Sequence, residues 1–202
     1  MTKLKNIFVI LLLFSSCSVT TYSELVPLIK TAAIGTPDIE INQDFIDSIE
    51  YSFARVRLGR SSTAVLVLST IDDNIFTWVS SSNEKIYTHN GKVIRTEGLA
   101  YNFESFNFKL FNIETVIAQN TLSYQKDIFF NNPNAFVSQF INLNILEHSD
   151  GVIKIGEKAK ANGFKWTVTN TYWLDPNTRL PIKSHQYIHP YLPKIEIDYY
   201  FK

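Results

Sequence analysis

Cys17 is the sole cysteine among 202 residues, and because the thiolate is the best nucleophile among side chains, thioether formation is the first chemistry to consider. His185 and His189, in HQYIH, would share a metal-binding face on a helix. On a strand they sit about 13 Å apart, too far to ligate one ion, and Pro190 opposes a helix there. The adjacent pair Asp72 and Asp73 would point to opposite faces of a strand. Asp127, Glu147 and Asp198 would make a polysaccharide lyase or hydrolase only if two of them converged within about 5–10 Å in a groove. Neither G-x-S-x-G nor H-E-x-x-H occurs, so no catalytic residue, metal or cofactor is expected. Binding chemistry remains. Arg95 and Glu97 share a strand face and either grip an acidic sugar or partner loop, or pair with Glu84 or Lys85 across the strands. Trp78, Trp166 and Trp173, with Tyr172 and Tyr187, offer planar faces for stacking on sugar rings, or pack a core. Trp166 and Trp173 differ in parity, so an unbulged strand would place them on opposite faces.

The surroundings of Cys17 decide its chemistry. Eight consecutive apolar residues, Ile7 to Phe14, follow Lys3 and Lys5 and precede Ser15 and Ser16. That run is too short to span a bilayer, which takes about 20 residues, and has the layout of a secretory signal peptide. Phe14-Ser15-Ser16-Cys17 resembles a bacterial lipobox, which predicts removal of residues 1–16 and attachment of diacylglycerol and an acyl chain to Cys17. Such chains, at about 0.8 kcal/mol per buried CH₂, hold a domain on a membrane without a spanning helix. Ser18 is not Asp, which by resemblance to the lipoprotein sorting rule of Gram-negative bacteria points to the outer membrane, periplasmic side.

Residues 17–22 then form a lipidated tether and 23–202 a single domain, large enough for a core without disulfides. Nineteen basic residues balance nineteen acidic ones, so no basic footprint for nucleic acid is present. Fifteen Phe and ten Tyr beside seven Gly and seven Pro favour strands.

The positioning elements follow from periodicity. Glu24 to Ala33 reads as a helix interrupted by Pro27. Ser52 to Leu58 alternates, with Phe53, Arg55 and Arg57 opposite Ala54, Val56 and Leu58. Ala64 to Leu68 is continuously apolar, the pattern of a central strand buried on both faces. Asp72-Asp73-Asn74 turns the chain. Asn90-Gly91 between two β-rich arms predicts a type I′ hairpin over residues 85–99. A short helix is expected at Ala135 to Leu143, and strands at Phe164 to Leu174, Pro181 to Ile188 and Lys194 to Phe201. Without strand–helix alternation, the fold expected is all-β and mainly antiparallel, a curved β-sandwich or half-barrel with one or two short helices.

Three stretches now stand in order: Trp78 followed by Asn90 to Leu99 (NGKVIRTEGL), Trp173 to Thr178 (WLDPNT), and Ser184, Gln186, Ile188, Pro190 and Pro193 near the end. Together with the lipobox they resemble the YjbF/GfcB-type lipoproteins of group 4 capsule and related exopolysaccharide loci. Arg179 stands where that pattern usually has glycine, and the chain ends at Phe201-Lys202 without a terminal Lys-Pro. The resemblance implies a mainly β accessory of polysaccharide export, anchored in the outer membrane, with no known catalytic residues. Its partners would be a polysaccharide or an export-machinery protein. Arg95, Glu97, Trp78, Trp173 and Gln186 are the candidate glycan or partner surface. A polysaccharide-modifying enzyme, or a lipid carrier with an apolar half-barrel cavity, are the rival readings.

Overall fold

The computed structural model describes residues 40–163 and 165–202; the predicted signal peptide, tether and Glu24–Ala33 helix lie outside them. A one-and-a-half-turn helix α1 (Gln43–Ser48), capped by the Asn42 side chain, precedes strands β1 (Phe53–Leu58), β2 (Ala64–Asp72), β3 (Ile75–Val79), β4 (Lys85–His89), β5 (Lys92–Glu97) and β6 (Phe103–Ser105). A 3₁₀ turn (Phe108–Leu110) and helix α2 (Ile113–Gln119) lead into β7 (Thr121–Phe130), β8 (Ala135–His148), β9 (Ile153–Ala161), β10 (Thr167–Leu174), β11 (Pro181–Gln186) and β12 (Ile195–Tyr200). Every strand is antiparallel to its neighbours in the chain, and β12 pairs with β1 from Phe53↔Tyr200 to Leu58↔Ile195. The result is a closed twelve-strand up-and-down barrel, with no free edge.

The expected antiparallel all-β class holds, while the sandwich or half-barrel gives way to closure. Two local expectations are also corrected. Ala135 to Leu143 is not a helix but the first part of β8, where alternation of inward Val137, Gln139, Ile141 and Leu143 with outward Phe136, Phe140 and Asn142 outweighs the absence of turn formers. Ala64 to Leu68 is not buried on both faces; Leu66 faces the core and Val67 is exposed. A barrel has only one dry side, so a continuously apolar run leaves half its side chains outside. The helix that does form between β6 and β7 is α2, capped by the Asn112 side chain, which accepts from the Thr115 amide at 3.1 Å.

Few glycines suffice for so many hairpins because asparagine takes the left-handed positions. Asn74, Asn83, Asn90, Asn107, Asn120 and Asn132 all have positive φ, a conformation that asparagine tolerates better than other side chains. Gly91 is different. With φ +76° it stands beside Pro181, whose Cβ would lie 2.7 Å from any Cβ added there, so no other residue fits.

That close approach shapes the interior. Twelve strands enclose a wider lumen than the eight that side chains alone can fill, yet this lumen is packed. The tip of the β4–β5 hairpin reaches across it to β11 and β12. The Gln186 Oε1 accepts from the Val93 amide (2.9 Å), its Nε2 donates to the Gly91 carbonyl (2.9 Å), and the Tyr199 hydroxyl donates to that carbonyl (3.0 Å). β5 and β11 are six strands apart in either direction round the wall, so opposite walls are pinned together. The core accordingly has two apolar clusters. One holds Trp78, Val93, Ile128, Phe130 and Ile197, the other Phe111, Val116, Ile141, Ile155 and Tyr172. Along β7 the change from one to the other falls at Lys126, and along β8 at Gln139. Outside, Arg55, Arg57, Glu196 and Asp198 project from β1 and β12. An apolar interior with a charged exterior is the reverse of a transmembrane barrel.

Candidate functional site: a groove at the barrel end

The β1–β2 and β3–β4 turns stand at one end of the barrel, the end opposite α1. Between them lies a groove of about 650 Å³. Its floor is apolar, built from the inward residues Val56, Leu66, Ile86 and Ile195 where the strands end. Its rim is hydroxyl-rich, with Ser61, Ser62 and Thr63 on one turn and Ser80, Ser81 and Ser82 on the other. Serine is used there because its hydroxyl satisfies the turn's own backbone. Ser80 Oγ accepts from the amides of Ser82 (3.2 Å) and Glu84 (3.1 Å), and its hydroxyl donates to the Glu84 carboxylate. That hydroxyl, and then its own backbone amide, hold the Glu84 carboxyl below the usual range. Among the described residues Glu84 is the one carboxylate lining the groove, whereas glycoside hydrolysis employs a pair about 5–10 Å apart. The arrangement supplies apolar contact below and hydrogen bonds around the edge.

The carboxylates considered from sequence are dispersed. Asp127 accepts from Ser138 at 2.5 Å, Asp198 is paired with Arg55 (3.2 Å) and Lys183 (3.4 Å), and Glu147 is exposed on β8 opposite Lys154. The two histidines have separate surroundings. His185 lies edge-on to Trp173, with ring centroids 4.9 Å apart, while His189 is buried among Phe130, Tyr101 and Tyr191. Burial lowers the pKa of both.

The five residues expected to form one glycan or partner surface are not brought together. Trp78 and Gln186 are each 1% exposed and point inward, which corrects their assignment to a surface. The Trp78 indole donates to Thr88 at 2.9 Å, and Gln186 pins the hairpin tip. Strand alternation assigns a side chain to one of two faces, but not the closure that seals one of them. Arg95 and Glu97 do share the outer face of β5. They bond each other at 2.5 Å, Lys85 approaches Glu97 at 3.7 Å, and the Arg95 guanidinium lies 5.2 Å from the Tyr87 ring centre. Trp173 is outward on β10, stacked beneath the Lys154 ammonium at 5.4 Å.

One constellation escaped sequence reasoning. Lys92, the first residue of β5, donates to the Tyr124 hydroxyl (3.1 Å) and to the Glu157 carboxylate, and Asn170 donates to the other Glu157 oxygen (2.8 Å). Lys92 and Glu157 are 2% and 1% exposed. Burial by itself would push Lys92 down and Glu157 up; their mutual attraction overcomes it, raising the lysine and lowering the carboxyl. Lys126, 5% exposed, makes no ion pair among the described residues, and burial followed by repulsion from Lys92 brings its pKa down to about 7. The signal was the inward parity of Lys126 within YQKDIFF and of Glu157 within IKIGEKAKA.

Known proteins give the frame. The chain is 23% identical over 186 residues to the lipoprotein GfcB of Escherichia coli K12, covering 86% of this chain and 87% of that one. It is 27% identical over 90 residues to the E. coli K12 lipoprotein YjbF, covering 45% of this chain and 42% of that protein. The crystal structure of the E. coli K12 lipoprotein YmcC has the same fold, with a TM-score of 0.70 at 18% identity, over 91% of this chain and 97% of that one. The model for the YjbF family, described as group 4 capsule polysaccharide lipoprotein gfcB, YjbF, matches residues 26–199, and the chain belongs to that family of lipoproteins.

Proposed function

We propose that this protein is a non-enzymatic accessory of capsule or exopolysaccharide export. Cys17 carries its lipid anchor in the outer membrane, and the barrel faces the periplasm, where its end groove binds a stretch of glycan or an export partner. The observation that carries the reading is the groove itself. Its apolar floor suits the C–H face of a pyranose or an apolar partner side chain, its six hydroxyl side chains suit hydrogen bonding, and its single carboxylate is already engaged.

The test is complementation in a capsule-producing strain lacking the gene, with surface polysaccharide measured against total polysaccharide. The wild-type gene restores surface polymer, whereas Cys17→Ser and the groove-filling Ser81→Trp do not. Undiminished surface polymer in the deletion strain would sink the role in export; full rescue by Cys17→Ser would sink the anchor. A fluorescent fatty acid serves as a second probe of the groove, since displacement by acyl chains but not glycan would favour the lipid-carrier reading of its apolar floor.

A further inference from the structure

Charges on most of the barrel surface neutralise one another. On β1, β11 and β12, Arg55–Asp198 (3.2 Å), Arg57–Glu196 (2.9 Å), Lys183–Asp198 (3.4 Å) and Lys194–Glu196 (2.7 Å) interlock. On β4 and β5, Glu97 is shared by Arg95 (2.5 Å) and Lys85 (3.7 Å). The outer face of β9 is the exception. Lys154, Lys158 and Lys160 project from it, and among the described residues none of them is in an ion pair.

Of their cross-strand neighbours only Glu147, opposite Lys154, carries a charge. The register places Lys160 between Phe140 and Thr167, and Lys158 between Asn142 and Thr169. Lys154 lies between Glu147 and Trp173, over whose ring its ammonium sits at 5.4 Å. Along a strand, residues two and four apart are separated by about 6.7 and 13 Å. Cations so spaced in a line match an anion that repeats along an extended chain better than one compact anion. Thr167 and Thr169 on the β10 side, Asn142 on the β8 side, and an aromatic ring at one end supply what a sugar polymer takes up besides charge.

We propose that the outer wall formed by β8, β9 and β10 is a docking track for a polyanionic glycan, its carboxylates neutralised by Lys154, Lys158 and Lys160 and one sugar ring resting on Trp173. The proposal rests on the glycan-binding reading above and adds to it the chemical class of the polymer and a second place of contact.

The test uses the purified domain with polygalacturonate as probe, dextran as neutral polymer and phosphatidylglycerol vesicles as an anionic membrane. Wild type binds polygalacturonate in low salt, loses affinity as salt is raised, and leaves dextran alone. The triple variant Lys154→Gln/Lys158→Gln/Lys160→Gln loses at least tenfold in affinity, while Lys85→Gln/Lys183→Gln/Lys194→Gln, with the same change in net charge, loses less than twofold; circular dichroism checks that both fold. Equal losses in the two variants would mean attraction by net charge alone and overturn the track. So would failure of wild type to bind polygalacturonate, or lysine-dependent binding to the vesicles in its place. Dextran binding that ignores the β9 lysines would overturn the polyanion class while leaving glycan binding intact. Polygalacturonate binding without a capsule phenotype would keep the track and remove the export role.

Discussion

Lys92 and Glu157 form an ion pair inside the barrel although their strands, β5 and β9, are four apart in the wall. The pairing exists because the β4–β5 tip leaves the wall and crosses the lumen. Taking either partner away leaves a buried, uncompensated charge, which costs about 3–5 kcal/mol. Glu157→Gln should lower the urea midpoint accordingly, and Lys92→Met/Glu157→Gln should recover more than half of the loss. Equal midpoints for wild type and Glu157→Gln would mean that the pair is not sealed from water.

Lys126 gives stability a pH dependence of defined sign. Unfolded, its amine holds a proton to near 10.5; folded, it releases it at about 7. Between those values the unfolded state binds more protons, so stability rises with pH. The buried histidines, with lowered pKa values, act below this window, and the tyrosines, raised by burial, act above it. The melting temperature should therefore climb from pH 7 to pH 9.5. Lys126→Met should be more stable at pH 7, by about 2 kcal/mol, and should lack the slope.

The tryptophans should separate by solvent contact. Trp78, sealed and hydrogen-bonded to Thr88, should resist acrylamide quenching, whereas Trp173 on the outer wall should not. Single-tryptophan variants measure this directly. Trp78→Ala should cost about 3–5 kcal/mol.

Arg179 has φ +61° at the end of the β10–β11 turn, where its amide donates to the Asp175 carbonyl at 2.9 Å. Holding a non-glycine residue there costs about 1–2 kcal/mol. The Arg179–Glu114 pair (3.1 Å) is exposed and offsets little of that. Arg179→Gly should raise stability by about 1 kcal/mol; a loss would show that the arginine contacts matter more than its backbone.

Much of the wall was legible in the sequence. The alternation of Phe53 to Leu58 and of Ile195 to Phe201, and Asn90-Gly91 at its hairpin, follow from side-chain direction and turn chemistry alone. Arg179, standing where the family pattern usually has glycine, has the left-handed backbone that glycine adopts without strain. Ala135 to Leu143 reads as a helix because polar and apolar residues are mixed on both of its strand faces, Gln139 inward and Phe136 and Phe140 outward, and only pairing with β7 and β9 decides for a strand. Closure was not legible, since nothing within β1 states that its second partner is β12. The candidate site fared worse for the same reason. Arg95 and Glu97 were placed on one face, but the serine rim assembles from two separate turns over a floor that includes β12, the flanks of the β9 lysine row come from β8 and β10, and Trp78 and Gln186 change meaning once the sheet becomes a tube.

The pairing of β1 with β12 also sets an order of events in time. A chain emerging from a ribosome or a secretion pore can zip β2 to β11 into successive hairpins as they appear, because each partner follows closely behind. Phe53, however, must wait for Tyr200, which lies ten strands beyond the β1–β2 hairpin. Until then β1 and the unfinished sheet present two open edges, the condition most prone to wrong pairing. A barrel built this way completes itself only after β12 has arrived, and losing that strand would leave it permanently ajar.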